Sequence, residues 1–118
     1  MPTRGEHLQF LPLKTDAMLV LLVLEAKPRH GYGIVRDVAR RTDGETVIQT
    51  GALYRLLKRL LKDGLIEEVI YDDADEERRR YYRTTRLGGA VLSAEVERMA
   101  RLVREARNRS THRKPRLA

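Results

Sequence analysis

Apolar positions recur at helical spacing through the first half of this chain, switch to near-alternation for a short stretch, and return to helical spacing at the end. In "LPLKTDAMLVLLVLEAKPRHGYG" the pattern predicts a helix from Asp16, a residue able to cap an N-terminus, to Ala26, stopped ahead of Pro28. A second helix follows in "HGYGIVRDVARRTDG", with Ile34, Val35, Val38 and Ala39 on one face and Asp43-Gly44 as its stop. "TVIQ" is long enough for no more than a brief strand. Thr50 is placed to cap a third helix that runs to Asp63 and ends at Gly64, a residue tolerant of the left-handed conformation. "LIEEVIYDDADEERRRYYRTT" predicts two strands, Ile66 to Tyr71 and Arg80 to Thr84, joined by a charged turn into a hairpin. Thr85 then caps a last helix from Arg86 to Asn108.

Three helices followed by a hairpin give a mainly α, α+β fold: a winged helix-turn-helix with an appended C-terminal helix. The expected organisation is a flexible N-terminus over 1–10, a winged-helix domain over 11–85, a C-terminal dimerisation helix over 86–108 and a basic disordered tail over 109–118. No internal repeat is visible.

The third helix carries the first functional signal. At 100° per residue Leu53, Leu56, Leu57, Leu60 and Leu61 fill an arc of roughly 140°, and Arg55, Lys58, Arg59 and Lys62 fill an opposite arc of roughly 100°. No acid interrupts the basic arc before Asp63, whereas a solvated face normally mixes signs. In a helix-turn-helix the second helix of the motif enters the DNA major groove, and a wing adds contacts. The leucines would seat this helix on the first two, and the basic arc would lie along phosphates. Tyr54, at the border of the two arcs, is placed to reach a base edge or a phosphate.

Composition narrows the rest. The chain has 118 residues, enough for one domain with a core. It has no cysteine, which excludes disulfides and thiolate metal sites and suits a cytoplasmic protein. The longest apolar run, Met18 to Leu24, is short of the roughly 20 residues of a membrane span, and the N-terminus lacks the pattern of a secretory signal. The formal net charge is +7, but seven Lys/Arg and one acid follow residue 100, so the first hundred residues carry +1. The nucleic-acid reading therefore rests on local clustering, not on bulk charge.

Other chemistries find little support. His7, His30 and His112 are scattered, and no spacing suggests a catalytic group, a metal site or a cofactor. "GYG" lacks the strand and glycine spacing of a phosphate loop, and His30 is expected to have a structural role. Asp72, Asp73, Asp75, Glu76 and Glu77 lack the glycine and distal glutamate of a calcium loop, and this acidic tip would repel phosphate. Arg78, Arg79 and Arg80 are instead expected against the backbone of DNA. On the last helix Leu92, Val96, Met99, Val103 and Ala106 recur by fours and threes, a seam for a second subunit. The tail reads as a solvated end.

The segments "LPLKTDAMLVLLVLEAKPRHGYGIVRDV", "TGALYRLLKRLLKDGLIEE" and "RRRYYRTTRLGG" resemble the PadR family of bacterial transcriptional regulators, from about Leu11 to Arg109. "HGY", "G-x-LYR-x-L-x-RL-x-x-x-GLI" and "YYR-x-T-x-x-G" in this order are more specific together than any one alone. The resemblance implies a homodimeric repressor of an inverted-repeat operator in double-stranded DNA, paired through its C-terminal helix, often with the first helix. Any small-molecule effector would sit near the dimer interface. It places DNA contacts on the third helix, its N-terminal approach, the "HGY" tyrosine and the wing: Tyr32, Thr50, Gly51, Ala52, Tyr54, Arg55, Lys58 and the wing arginines. Ala52 stands where many relatives have Ser or Thr, and Thr84 where Leu is usual. The short last helix matches the short-tailed branch. The alternative of a different class is a winged helix used as a protein-interaction or RNA-binding module.

Overall fold

The computed structural model describes residues 5–72 and 78–112. A 3-10 turn over Glu6–Phe10 leads into α1 (Thr15–Ala26), β1 (Arg29–His30), α2 (Gly31–Arg41), α3 (Thr50–Lys62), β2 (Ile66–Asp72), β3 (Arg78–Thr84) and α4 (Arg86–His112). No helix among the described residues is long and apolar enough to cross a membrane.

Helix α1 is apolar nearly all round, which is the composition of a helix surrounded by protein. Val20, Leu21 and Val23 are fully buried, and they pack with Ile34 and Val38 of α2, Leu53, Leu57 and Leu60 of α3, Tyr82 of β3 and Val91 and Leu92 of α4. The stops of α2 and α3 share one mechanism. At Asp43 the backbone turns left-handed (φ 52°), and the amides of Asp43 and Gly44 donate back to Arg40 and Ala39. At Gly64 (φ 76°) the same pair of bonds runs from Gly64 to Leu61 and from Leu65 to Leu60, closing the last carbonyls of α3.

The sheet has the order β1-β3-β2, all antiparallel, with Ile66 opposite Thr84 and Asp72 opposite Arg78 in the hairpin. Two features here were not expected from the sequence. Residues 46–49 form no strand; Ile48 instead plugs the core from the α2–α3 loop at 8% exposure. The extra strand is β1, where Arg29 and His30 face Tyr82 and Tyr81. Its placement is reinforced by Asp37 of α2, 3% exposed, which pairs with Arg29 (3.3 Å), Arg41 (3.1 Å) and Arg40. Burial pushes the Asp37 carboxyl up, but hydrogen bonds from Arg41 and Arg40 and the charge of Arg29 outweigh this and hold it below its ordinary value.

The ends also differ from expectation. Gly5–Phe10 is not a free terminus: its 3-10 turn packs on α4, and Phe10 lies against the core. The Leu13 amide donates to the Glu95 carboxylate of α4 (2.7 Å), and Arg98 pairs with the same carboxylate, which is 1% exposed. Helix α4 continues past Asn108 to His112; residues 1–4 and 113–118 of the expected flexible ends, and 73–77 of the acidic wing tip, lie outside the described residues.

One junction ties α3, the wing and α4 together. The Thr85 hydroxyl donates to the Gly64 carbonyl (2.6 Å) and accepts from the Gly88 amide (3.1 Å), so it caps α4 as expected. The Thr85 amide donates to the Leu65 carbonyl (3.1 Å). That same carbonyl oxygen would lie 1.9 Å from a Cβ at Gly88, so only glycine allows α4 this close to the start of β2.

Candidate nucleic-acid interface

Helix α3 has three faces rather than two. Leu53, Leu57 and Leu60 enter the core; Gly51, Tyr54, Arg55, Lys58 and Lys62 are exposed on the far side. Along the flank between them, Ala52, Leu56, Arg59 and Asp63 line a cleft closed from the other side by the strap of residues 9–14. Ala52 thus turns away from the outer face on which the sequence had placed it, while Arg55 sits on the edge shared by both.

None of Arg55, Lys58, Arg59 and Lys62 has an ion-pair partner among the described residues. Thr50 is the first residue of α3 rather than its cap; Gln49 holds the cap position without a side-chain cap hydrogen bond, and no side chain among the described residues satisfies the first-turn amides. Those amides and the helix dipole favour an anion there. The Arg55 guanidinium lies beside the same turn, 3.5 Å from where a Cβ of Gly51 would stand.

The tyrosines gather at the start of α2. Tyr32 is 68% exposed, with the Arg36 guanidinium 5.7 Å from its ring centre. The Tyr54 hydroxyl packs over the α2 turn, 3.2 Å from where a Cβ of Gly31 would be, so the glycine before Tyr32 makes room for the tyrosine of α3. His30 is structural, as expected: its Nδ1 accepts from the Gly33 amide (3.1 Å), and its ring meets Tyr81 edge-on.

In the wing, the Arg80 side chain is 75% exposed and lies 3.8 Å from Glu68, while Arg83 pairs with Glu67 (2.6 Å). Arg78 and Arg79 belong to β3, but their side chains lie outside the described part of the structure. The sequence reading also passed over Gln49 and Val47. Val47 is 59% exposed beside the start of α3, in a four-residue loop with no periodicity to single it out.

On α4 the expected seam begins a turn later than Leu92, which is 5% exposed and belongs to the core of its own protomer. Val96, Met99, Val103 and Ala106 are exposed, and Leu102 (55% exposed), absent from the expected set, joins them.

A buried three-helix core, a two-stranded wing and a basic helix face without ion-pair partners among the described residues define a winged helix-turn-helix protein. The Transcriptional regulator PadR-like family matches residues 20–94, and the chain belongs to that family, one of transcriptional regulators rather than enzymes. It is 39% identical over 85 residues to an uncharacterized protein of Lysinibacillus sphaericus, spanning 72% of this chain and 77% of that one. A PadR family transcriptional regulator from Eggerthella lenta shares the fold with a TM-score of 0.63 and 29% identity, over 92% of this chain and 87% of that one. Bacillus subtilis PadR in complex with operator DNA matches with a TM-score of 0.61 and 16% identity, over 91% of this chain and 52% of that chain, a likeness of fold.

Proposed function

We propose that the protein is a sequence-specific, double-stranded-DNA-binding transcriptional regulator, acting as a homodimeric repressor on an inverted-repeat operator and released by a small molecule or another signal. The observation that carries this reading is the outer face of α3: Arg55, Lys58 and Lys62 project with no acidic partner among the described residues, next to open first-turn amides. In this reading Thr50 and Gly51 approach phosphate through the backbone, Arg55 and Lys58 hold the duplex, and Tyr32 and Tyr54 border the groove. Arg80 and its neighbours Arg78 and Arg79 clamp the flanking backbone. The operator-bound Bacillus subtilis PadR supports a DNA partner for a chain of this fold. The exposed stripe Val96, Met99, Leu102 and Val103 supports pairing through α4.

The test begins with recovery of genomic fragments bound by the protein, which yields a duplex for fluorescence anisotropy. Arg55→Ala and Lys58→Ala should each weaken binding and reduce the salt slope by about one where the contact is to phosphate. Wild-type affinity and slope in both variants would refute the assigned face. Binding confined to single-stranded RNA or to a protein would favour the interaction-module reading.

A further inference from the structure

The approach to α3 carries two side chains that no role described so far employs. Residues 46–49 belong to no helix or strand, and Gln49 has an extended backbone (φ −67°, ψ 146°). Ile48 turns into the core, while Val47 and Gln49 on either side of it are exposed, the alternation that an extended chain produces. The Gln49 carboxamide offers two donors and an acceptor, and it makes no hydrogen bond among the described residues. Val47 offers only methyl groups. From Glu45 to Tyr54 there is no lysine or arginine, so the leading edge of the helix lacks the side chains that most often read guanine.

In a helix-turn-helix the N-terminal residues of the second helix meet base edges in the major groove. Adenine presents an N6 donor beside an N7 acceptor there, which a glutamine carboxamide matches with two hydrogen bonds, and thymine presents a methyl group that takes apolar contact. We infer that Gln49 and Val47 are specificity determinants: Gln49 reads an adenine through N6 and N7, and Val47 packs on a nearby thymine methyl. Residues two apart in an extended chain are ~6.6 Å apart, about two base steps of ~3.4 Å, so the adenine and the thymine lie within two base pairs of each other in each half-site. Arg55 and Lys58, further along the helix, keep their hold on the duplex. The assignment rests on the DNA-binding reading above and adds to it the base chemistry that the approach to α3 selects.

The experiment selects duplexes from a random pool with the full chain and then measures anisotropy on the selected duplex carrying single replacements. Adenine is replaced by 7-deazaadenine, which lacks N7, and thymine by uracil, which lacks the methyl. The wild type should lose about tenfold in affinity at one adenine per half-site, and about threefold at a thymine within two base pairs of it. Gln49→Ala should bind the unmodified duplex about tenfold more weakly and suffer no further loss from 7-deazaadenine at that position, and Val47→Ala should be indifferent to the uracil. Both side chains are exposed, so both variants should unfold at the wild-type temperature. A 7-deazaadenine loss that persists in full in Gln49→Ala, or a half-site in which no adenine N7 matters, overturns the role of Gln49. A uracil loss that persists in Val47→Ala overturns that of Val47. A wild-type protein that enriches no duplex refutes the DNA reading itself, an outcome distinct from an enriched operator without this adenine dependence, which removes the present assignment alone.

Discussion

At the scale of single residues, adjacent glycines give opposite expectations. A Cβ at Gly88 would meet the Leu65 carbonyl oxygen at 1.9 Å, and backbone cannot swing aside as a side chain can. Gly88→Ala should therefore cost at least the ~1–3 kcal/mol typical of overpacking. A Cβ at Gly89 would meet nothing nearer than a Glu25 carboxylate oxygen at 3.8 Å, so Gly89→Ala should stabilise by about 0.5–1 kcal/mol through helix propensity. Urea unfolding of the two variants beside wild type checks both signs. Thr84 supplies a third case, since its hydroxyl oxygen is buried with no hydrogen-bond partner among the described residues. Thr84→Val keeps the shape and removes the unsatisfied group, so it should raise stability by about 1 kcal/mol; an unfolding midpoint at or below wild type would mean that the hydroxyl is satisfied after all.

At the scale of elements, α4 changes character along its length. Its first turns are spent on the protomer, with Val91, Leu92 and Glu95 all buried, and from Val96 onward the apolar residues face outward. Val96→Asp with Met99→Asp should leave the fold intact and, on the dimeric reading, yield a monomer with little operator affinity, because paired carboxylates in an apolar seam are costly to desolvate. Sedimentation of the double variant as an intact dimer would place the interface elsewhere. Periodicity made the four helices legible in the sequence, and the stops at Asp43-Gly44 and Gly64 were legible because left-handed backbone selects few residue types. Strand β1 was not: two residues after a proline have no periodicity, and only the pairing with Tyr81 and Tyr82 defines them. Leu92 fitted the seam by spacing, yet spacing cannot tell which of two helix partners, inside or outside the protomer, a leucine meets. The cleft flank of α3 escaped for a similar reason, since it exists only because the strap returns beside Leu56 and Arg59.

At the scale of the whole molecule, two buried carboxylates fix segments to one another: Asp37 holds β1 against the helix that follows it, α2, and Glu95 joins the distant N-terminal strap to α4. Hydrogen bonds from Arg98 hold the Glu95 carboxyl below its ordinary 4.5 despite burial, with the Leu13 amide assisting. Asp37 is likewise held below 3.8. A carboxyl depressed in the folded state adds stability that is complete above its unfolded value and is lost as pH falls through the folded one. Stability should thus hold near neutrality and decline below about pH 4.5, and Glu95→Gln should lower the urea midpoint at pH 7 while flattening the acid decline. A Glu95→Gln curve parallel to wild type from pH 6 to pH 3 would remove Glu95 from that account.

The close approach at Gly88 also has a mechanical meaning. Helix α4, with 27 residues, is about 40 Å long, and it leaves the reading domain from a mount that allows no extra atom. Pivoted there, a tilt of ~5° moves the far end by ~3.5 Å, about the rise of one base pair along a DNA strand. On the dimeric reading the two reading heads are separated by two such arms. The stiffness of that mount, the Gly88 contact together with buried Val91, Leu92 and Glu95, then bears on whether both heads find their half-sites in the same register.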